Sequence, residues 1–240
     1  MKKLFAAIAF MGVCSLAACG GGSGTDGGDS GGDGCGGGCS GGSSKMDGSQ
    51  STIDMYVNGT MKASYWVQVH AEPAAGQYWE MSYEMSGMKN VTRWQVTKID
   101  GSTAIIENQM KMDSEYMVSD YTIAYEVNLG AAEGEANVTK AWIGKTGEAP
   151  KEIQVMEKPA PACGGCTGAT ADVKEEAFTD LEMAGMKFSG KIWITNAGGT
   201  ESKTWMADNG WFNKIIKMES GSFSQSLTAA GTDAAPLLKW

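Results

Sequence analysis

Histidine, proline and clusters of basic residues are scarce in this chain. Its 240 residues include one histidine, His70, and five prolines. A Ser/His/Asp triad, a Cys/His pair or a multi-histidine zinc centre would have to use His70, and no nucleophile motif lies near it. The net charge is −9, and no run of Lys or Arg offers the electrostatic footprint that nucleic acid requires. We therefore expect a protein that is not an enzyme, holds no cofactor and binds no nucleic acid.

The first residues carry the signs of export. Met1-Lys2-Lys3 is followed by an apolar run from Leu4 to Leu16 and then by Ala17-Ala18-Cys19. This arrangement resembles the lipobox of bacterial lipoproteins, which implies that residues 1–18 are a signal peptide and that acyl groups are attached to Cys19. An ordinary secretory signal is the alternative. Gly20 follows the cysteine where inner-membrane retention often uses Asp, so resemblance to that sorting rule implies a lipid-anchored protein of the outer membrane.

A glycine-rich segment separates Cys19 from the rest of the chain. Residues 19–42 contain 14 glycines, and Ser, Asp and Thr fill most other positions. Such a composition cannot bury a core, so we expect residues 19–50 to be a disordered tether. No later stretch approaches the roughly 18 apolar residues that cross a bilayer. The membrane is therefore an expected partner only through the acyl groups.

Residues 51–240 have the pattern of a single β-domain. On Tyr78–Met85 the apolar side chains alternate with Glu80, Ser82 and Glu84, which is the period of a half-buried strand. Asp100-Gly101 and Ala184-Gly185 are hairpin signals. About ten such strands and no long amphipathic helix predict an all-β antiparallel meander curled into a half-barrel or barrel, with a two-sheet sandwich as the alternative. Leu237, Leu238 and Trp240 could dock the C-terminal tail onto this domain.

Four cysteines remain after the signal and the lipidated residue. Their even number in an exported chain favours disulfides, although three pairings are open. A shared thiolate metal site and a redox pair are the alternatives, and the candidates are Cys35, Cys39, Cys163 and Cys166.

Methionine is abundant, with 16 residues in the chain. Its flexible thioether packs irregular cores and adaptable apolar pockets, and it is also a soft ligand for Cu(I). We predict an apolar core or pocket face and keep copper as the minor alternative. The predicted face is formed by Trp79, Met81, Tyr83, Met85, Trp94, Met110 and Met112.

Several strand and hairpin segments resemble a group of uncharacterised bacterial envelope lipoproteins. The similar segments are residues 78–85, 96–101, 183–188, 203–205 and 216–219. The group is more distantly similar to Lol-type half-barrel lipid binders, which implies a concave apolar surface able to accept an acyl chain. We therefore expect a lipid-anchored, non-enzymatic envelope protein that binds an apolar ligand or an envelope partner. A structural or adaptor lipoprotein without a ligand is the alternative.

Overall fold

The computed structural model describes residues 45–85, 87–160 and 173–240. The predicted signal peptide, Cys19 and the four candidate disulfide cysteines lie outside these residues. One helix, α1, spans Ser49–Val57. The strands are Met46–Asp47 (β1), Tyr78–Met85 (β2), Met88–Asp100 (β3), Thr103–Asp113 (β4), Met117–Asn128 (β5), Val138–Gly144 (β6), Lys151–Ile153 (β7), Val173–Met183 (β8), Met186–Ala197 (β9), Thr200–Ala207 (β10), Ile215–Ser220 (β11) and Phe223–Gly231 (β12).

The strands form one sheet made of two antiparallel meanders. Its order is β7-β6-β5-β4-β3-β2-β12-β11-β10-β9-β8, so the pairing of β2 with β12 joins the two halves. Strands β7 and β8 follow one another in the chain but stand at opposite edges, and no ladder joins them among the described residues. The prediction of an all-β antiparallel fold is confirmed, and the curled sheet is open rather than a closed barrel. Strand β1 adds a short parallel pairing to β5.

The sheet curls strongly enough to bring distant strands together. Trp79 on β2 meets Phe188 on β9 edge to face, with ring centroids 5.6 Å apart, although three strands separate β2 from β9 in the sheet. Trp211, in the loop before β11, lies 6.1 Å from Trp79, and Phe212 lies 6.2 Å from Trp94. These rings close one end of the apolar face, because large aromatic side chains fill the space that the curl leaves.

The N-terminal segment packs against β5 through short polar contacts. An Asp47 carboxylate oxygen accepts a hydrogen bond from the Ser49 N–H (2.8 Å), and the Ser49 hydroxyl accepts one from the Asp120 N–H (2.8 Å). The side chain of Ile53 on α1 is buried in the core. The folded domain therefore begins at Met46, before the predicted boundary at residue 51, and residues 46–50 are not part of a disordered tether.

The C-terminal segment covers the opposite face of the sheet. Glu107 on β4 is completely buried, and its carboxylate accepts hydrogen bonds from the backbone N–H groups of Leu237 (2.7 Å) and Leu238 (3.2 Å). Trp240 packs edge to face on Trp142 of β6, at 5.2 Å between ring centroids. The expectation that the tail docks back is thus met by a buried carboxylate that the sequence pattern did not single out.

Most strands lie where the alternating pattern places them, and the exceptions have local causes. Tyr78–Met85 matches the sequence prediction residue for residue. Strand β11 begins only at Ile215, because Phe212 and Lys214 have φ angles of 50° and 62°, which interrupt extended structure. Ala184 and Gly185 have φ angles of 51° and 73°, as the tight hairpin turn between β8 and β9 requires. Among the described residues no helix is long and apolar enough to cross a membrane.

Candidate functional site

The seven residues of the predicted apolar face share one face of the sheet. Alternation places Trp79, Met81, Tyr83 and Met85 together on β2. Trp79 pairs directly with Trp94 on β3. Across β3, Met81 is aligned with Met110 on β4 through Thr92, and Tyr83 is aligned with Met112 through Asn90. The face is graded along β2, from 1% exposure at Trp79 to 47% at Met85. Trp79 and Met81 therefore belong to the core, and only the Met85 end is open to solvent.

Methionines cluster at this open end. Met85 pairs directly with Met88 across the β2–β3 hairpin, and Met46 on β1 pairs with Met117 on β5. Met112 on β4 stands between these pairs, diagonal to Met88 and to Met117 on the same face. We call these residues the methionine rim: Met46, Met85, Met88, Met112 and Met117. Met46 and Met85 are exposed and the other three are half-buried, so the rim is a continuous soft apolar surface.

Immediately inside the rim, one cross-strand row contains polar atoms that lack hydrogen bonds. Ser119 pairs with Met112, Met112 pairs with Asn90, and Asn90 pairs with Tyr83. The same row continues through Gln225, Met218 and Thr204 to Trp193 on β9. The side-chain atoms Asn90 Nδ2, Ser119 Oγ and Trp193 Nε1 are buried and have no hydrogen-bond partner among the described residues. All three can act as donors.

This part of the face carries no formal charge. On β2 to β5 the described positions that share it are Met, Tyr, Trp, Asn, Thr, Ser or Ile residues. Tyr121 stands one row deeper, and its hydroxyl donates a hydrogen bond to the sulfur of Met110 (3.0 Å). Burial raises the pKa of Tyr121 to about 12, so the phenol stays neutral at physiological pH. The site can therefore offer neutral donors and apolar contacts, but no ion pair.

His70 lies at the opposite, closed end and has a structural role. Its Nδ1 accepts a hydrogen bond from the Phe212 N–H (3.2 Å), so its Nε2 must carry the proton that bonds Gln77 Oε1 (2.9 Å). Burial lowers the pKa of His70 and favours this neutral tautomer. The loop of Trp211 and Phe212 is held in place by this histidine.

The concavities that the structure describes do not coincide with the rim. One, of about 440 Å³, is lined by residues of the β9–β10 and β11–β12 turns, including Glu201, Lys203 and Glu219. Another, of about 280 Å³, lies beside Lys98, Asp100 and Glu126. Both are lined mainly by charged and polar groups.

Neither a group of metal ligands in the described residues nor a similar known protein indicates a function for this face. In the described part of the chain, no three His, Cys, Asp or Glu side chains come close enough to hold a metal ion. No known protein family, curated protein or solved structure matches this chain.

Sequence reasoning found part of this site and missed the rest. The alternation that selected Met85 on β2 also applies to β3 and β5, and extending it would have found Met88 and Met117. Met46 lies in the segment assigned to the tether, so its contribution required the parallel β1–β5 pairing. Asn90 and Ser119 carry no sequence signal, because only the register shows that both stand beside Met112.

Proposed function

We propose that the protein is a lipid-anchored, non-enzymatic component of the bacterial cell envelope, and that its β-domain binds an apolar ligand at the methionine rim. The lipobox resemblance at Cys19 supports the anchor, with the outer membrane as its destination. The observation that carries the binding proposal is the rim itself. Along β2 the side chains of this face change from buried at Trp79 to exposed at Met85. Five methionines from five strands lie near the exposed end.

A rim of this kind suits a flexible apolar ligand. Methionine side chains have three rotatable bonds and a polarisable sulfur, so they adapt to an acyl chain without a preformed shape. Exposed apolar groups cost free energy in water, at roughly 25 cal/mol per Å² of accessible surface, and a ligand removes that cost. The absence of charge on this face also favours an apolar ligand over an ionic one.

The proposal can be tested with the uncharged apolar dye N-phenylnaphthylamine, whose fluorescence rises when it leaves water. We expect the purified protein to bind the dye, and a Met88→Gln, Met112→Gln double variant to bind it at least about tenfold more weakly, because two apolar contacts are lost. Met156→Gln is the control, because Met156 is also a solvent-accessible methionine, at 45% exposure, but is not part of the rim. A wild-type protein that does not bind the dye, or a double variant that binds as well as the control, would contradict the proposal.

The filled interior favours a second candidate, a structural or adaptor lipoprotein without a ligand. Trp79 and Phe188 are almost fully buried, and the described concavities are polar. In that case the rim would stabilise the fold only. The double variant would then lower the melting temperature, and neither it nor the wild-type protein would bind the dye.

A further inference from the structure

The unpartnered donors under the methionine rim point to the chemical class of the ligand. We propose that Asn90 and Ser119 bind the two carbonyl oxygens of an uncharged diacyl lipid, whose chains lie against the methionine rim. This inference rests on the proposed function and specifies which apolar molecule the same site takes.

The sheet register places the two donors at a defined separation. Ser119 on β5 and Asn90 on β3 each pair directly with Met112 on the strand between them. Directly opposed residues of antiparallel strands are about 5 Å apart, so the two side chains arise about 10 Å apart on one face. A glyceryl backbone carries two ester carbonyls on neighbouring carbons, which matches two donors better than a single carbonyl group does.

The donors of Asn90 and Ser119 are buried without a hydrogen-bond acceptor among the described residues, which indicates that a ligand supplies one. Ser119 is 9% exposed, and its Oγ and the Nδ2 of Asn90 have no partner among the described residues. Buried polar groups in native proteins are nearly always hydrogen-bonded, and an exception calls for a ligand, a water or a functional reason. The two atoms lie on the same face and in the same row, on either side of Met112, so one ligand could satisfy both.

The neutrality of the site selects an uncharged acceptor. No charged side chain shares this face with Asn90 and Ser119 at the described positions of β2 to β5. A free carboxylate or a phosphate would lose its hydration here without gaining a cation. An ester or amide carbonyl accepts a hydrogen bond and carries no charge, so it loses far less hydration free energy when it enters the site.

The methionine rim explains how the site can be closed without a ligand. The donors are covered by protein atoms, and the described concavities lie elsewhere. Flexible thioether side chains can rotate away from the row and lie along the acyl chains instead. A ligand in this row would then provide the missing acceptors for both donors.

The test compares dipalmitoylglycerol, methyl palmitate, palmitate and hexadecane as competitors of N-phenylnaphthylamine on the full-length Cys19→Ser chain. We expect dipalmitoylglycerol to compete best and palmitate to be weaker than its methyl ester. Ser119→Ala and Asn90→Leu should each weaken dipalmitoylglycerol about tenfold, the effect of one lost hydrogen bond in an apolar site, and leave hexadecane unchanged. Ser82→Ala is the control, because Ser82 lies on the opposite face of β2 and should change neither affinity.

A second readout does not depend on lipid. Ser119→Ala removes an unpartnered buried hydroxyl, so the melting temperature of the ligand-free protein should stay the same or rise. A clear fall would show that the hydroxyl already has a partner and would overturn the inference. Equal weakening of hexadecane and dipalmitoylglycerol by Ser119→Ala, or equal affinity of the wild-type protein for both lipids, would also overturn it while leaving the proposed function intact. Failure of the wild-type protein to bind the dye would instead overturn the proposed function.

Discussion

Trp79 on β2 and Phe188 on β9 are in edge-to-face contact across the curl of the sheet. Their ring centroids are 5.6 Å apart, and the Trp79 indole N–H donates a hydrogen bond to the backbone carbonyl of Ile215 (3.0 Å). The contact joins the two meanders at the end opposite the methionine rim. It therefore fixes which end of the apolar face is closed and which is open.

Phe188→Ala should destabilise the domain strongly. Phe188 is fully buried, and truncation of a buried Phe typically lowers the free energy of unfolding by about 3–5 kcal/mol. Phe178→Ala on the edge strand β8 should lower the free energy of unfolding much less, because the Phe178 side chain is only half-buried. Urea unfolding followed by tryptophan fluorescence measures both. Equal losses for the two variants would contradict the central role of the Trp79–Phe188 contact.

Glu107 should be the residue that holds the C-terminal segment. Its carboxylate accepts hydrogen bonds from Gln95 Nε2 (2.8 Å) and from the backbone N–H groups of Leu237 and Leu238. We expect Glu107→Ala to lower the free energy of unfolding by about 3 kcal/mol, since hydrogen bonds to a charged group contribute about 1.5–3 kcal/mol each and are not additive.

Hydrogen exchange gives the local readout for Glu107. In Glu107→Ala the amides of Leu237 and Leu238 should lose protection before the rest of the sheet unfolds. Glu152→Ala is the control, because Glu152 stands on the same face of the neighbouring strands but is exposed. Unchanged protection of Leu237 and Leu238 would show that other contacts hold the segment.

Acidification should lower the stability of the domain by protonating His70, which holds the loop of Trp211 and Phe212. Burial lowers the pKa of His70 below its ordinary value of 6.5, although the Gln77 hydrogen bond and Glu72 oppose the shift and Lys214 adds to it. A depressed folded-state pKa contributes stability above the unfolded value, and this contribution is lost as pH falls below 6.5 towards the folded value. The free energy of unfolding should therefore fall as the pH is lowered through and below about 6.5. In His70→Leu the free energy of unfolding should change less steeply with pH over this range. An unchanged pH dependence would show that other groups cause it.

Lipidation at Cys19 should determine where the protein is found. The wild-type protein should sediment with the outer membrane and carry acyl groups on Cys19, whereas Cys19→Ser should be recovered in the soluble fraction. Membrane fractionation measures the location, and mass spectrometry of the mature N-terminus measures the acyl groups. Soluble wild-type protein without acyl groups would favour the ordinary secretory signal instead.

The sequence predicted the strands well because their signal is local. The alternation of Trp79, Met81, Tyr83 and Met85 with polar residues requires one buried face, whatever strand lies beside it. The two meanders, by contrast, are joined by the pairing of β2 with β12, which lie far apart in the chain, and no local pattern encodes that pairing. The open edges β7 and β8 follow from the same arrangement.

The site was only partly predictable for the same reason. Its apolar side chains follow from alternation, and all seven predicted residues do share a face. The division of that face into a core at Trp79 and an exposed rim at Met85 depends on the curl, which brings Phe188 over Trp79. Short helix α1 was missed because Ser49–Val57 lacks a strong amphipathic pattern and is held by contacts with β5.

Native mass spectrometry of the protein extracted gently from its own membrane tests the account most directly. The account predicts a bound uncharged lipid on the wild-type chain, in addition to the acyl groups on Cys19, and loss of that lipid from the Met88→Gln, Met112→Gln variant but not from Met156→Gln. A wild-type protein that carries no lipid beyond its own anchor, or a rim variant that retains the same lipid, would contradict binding at the methionine rim.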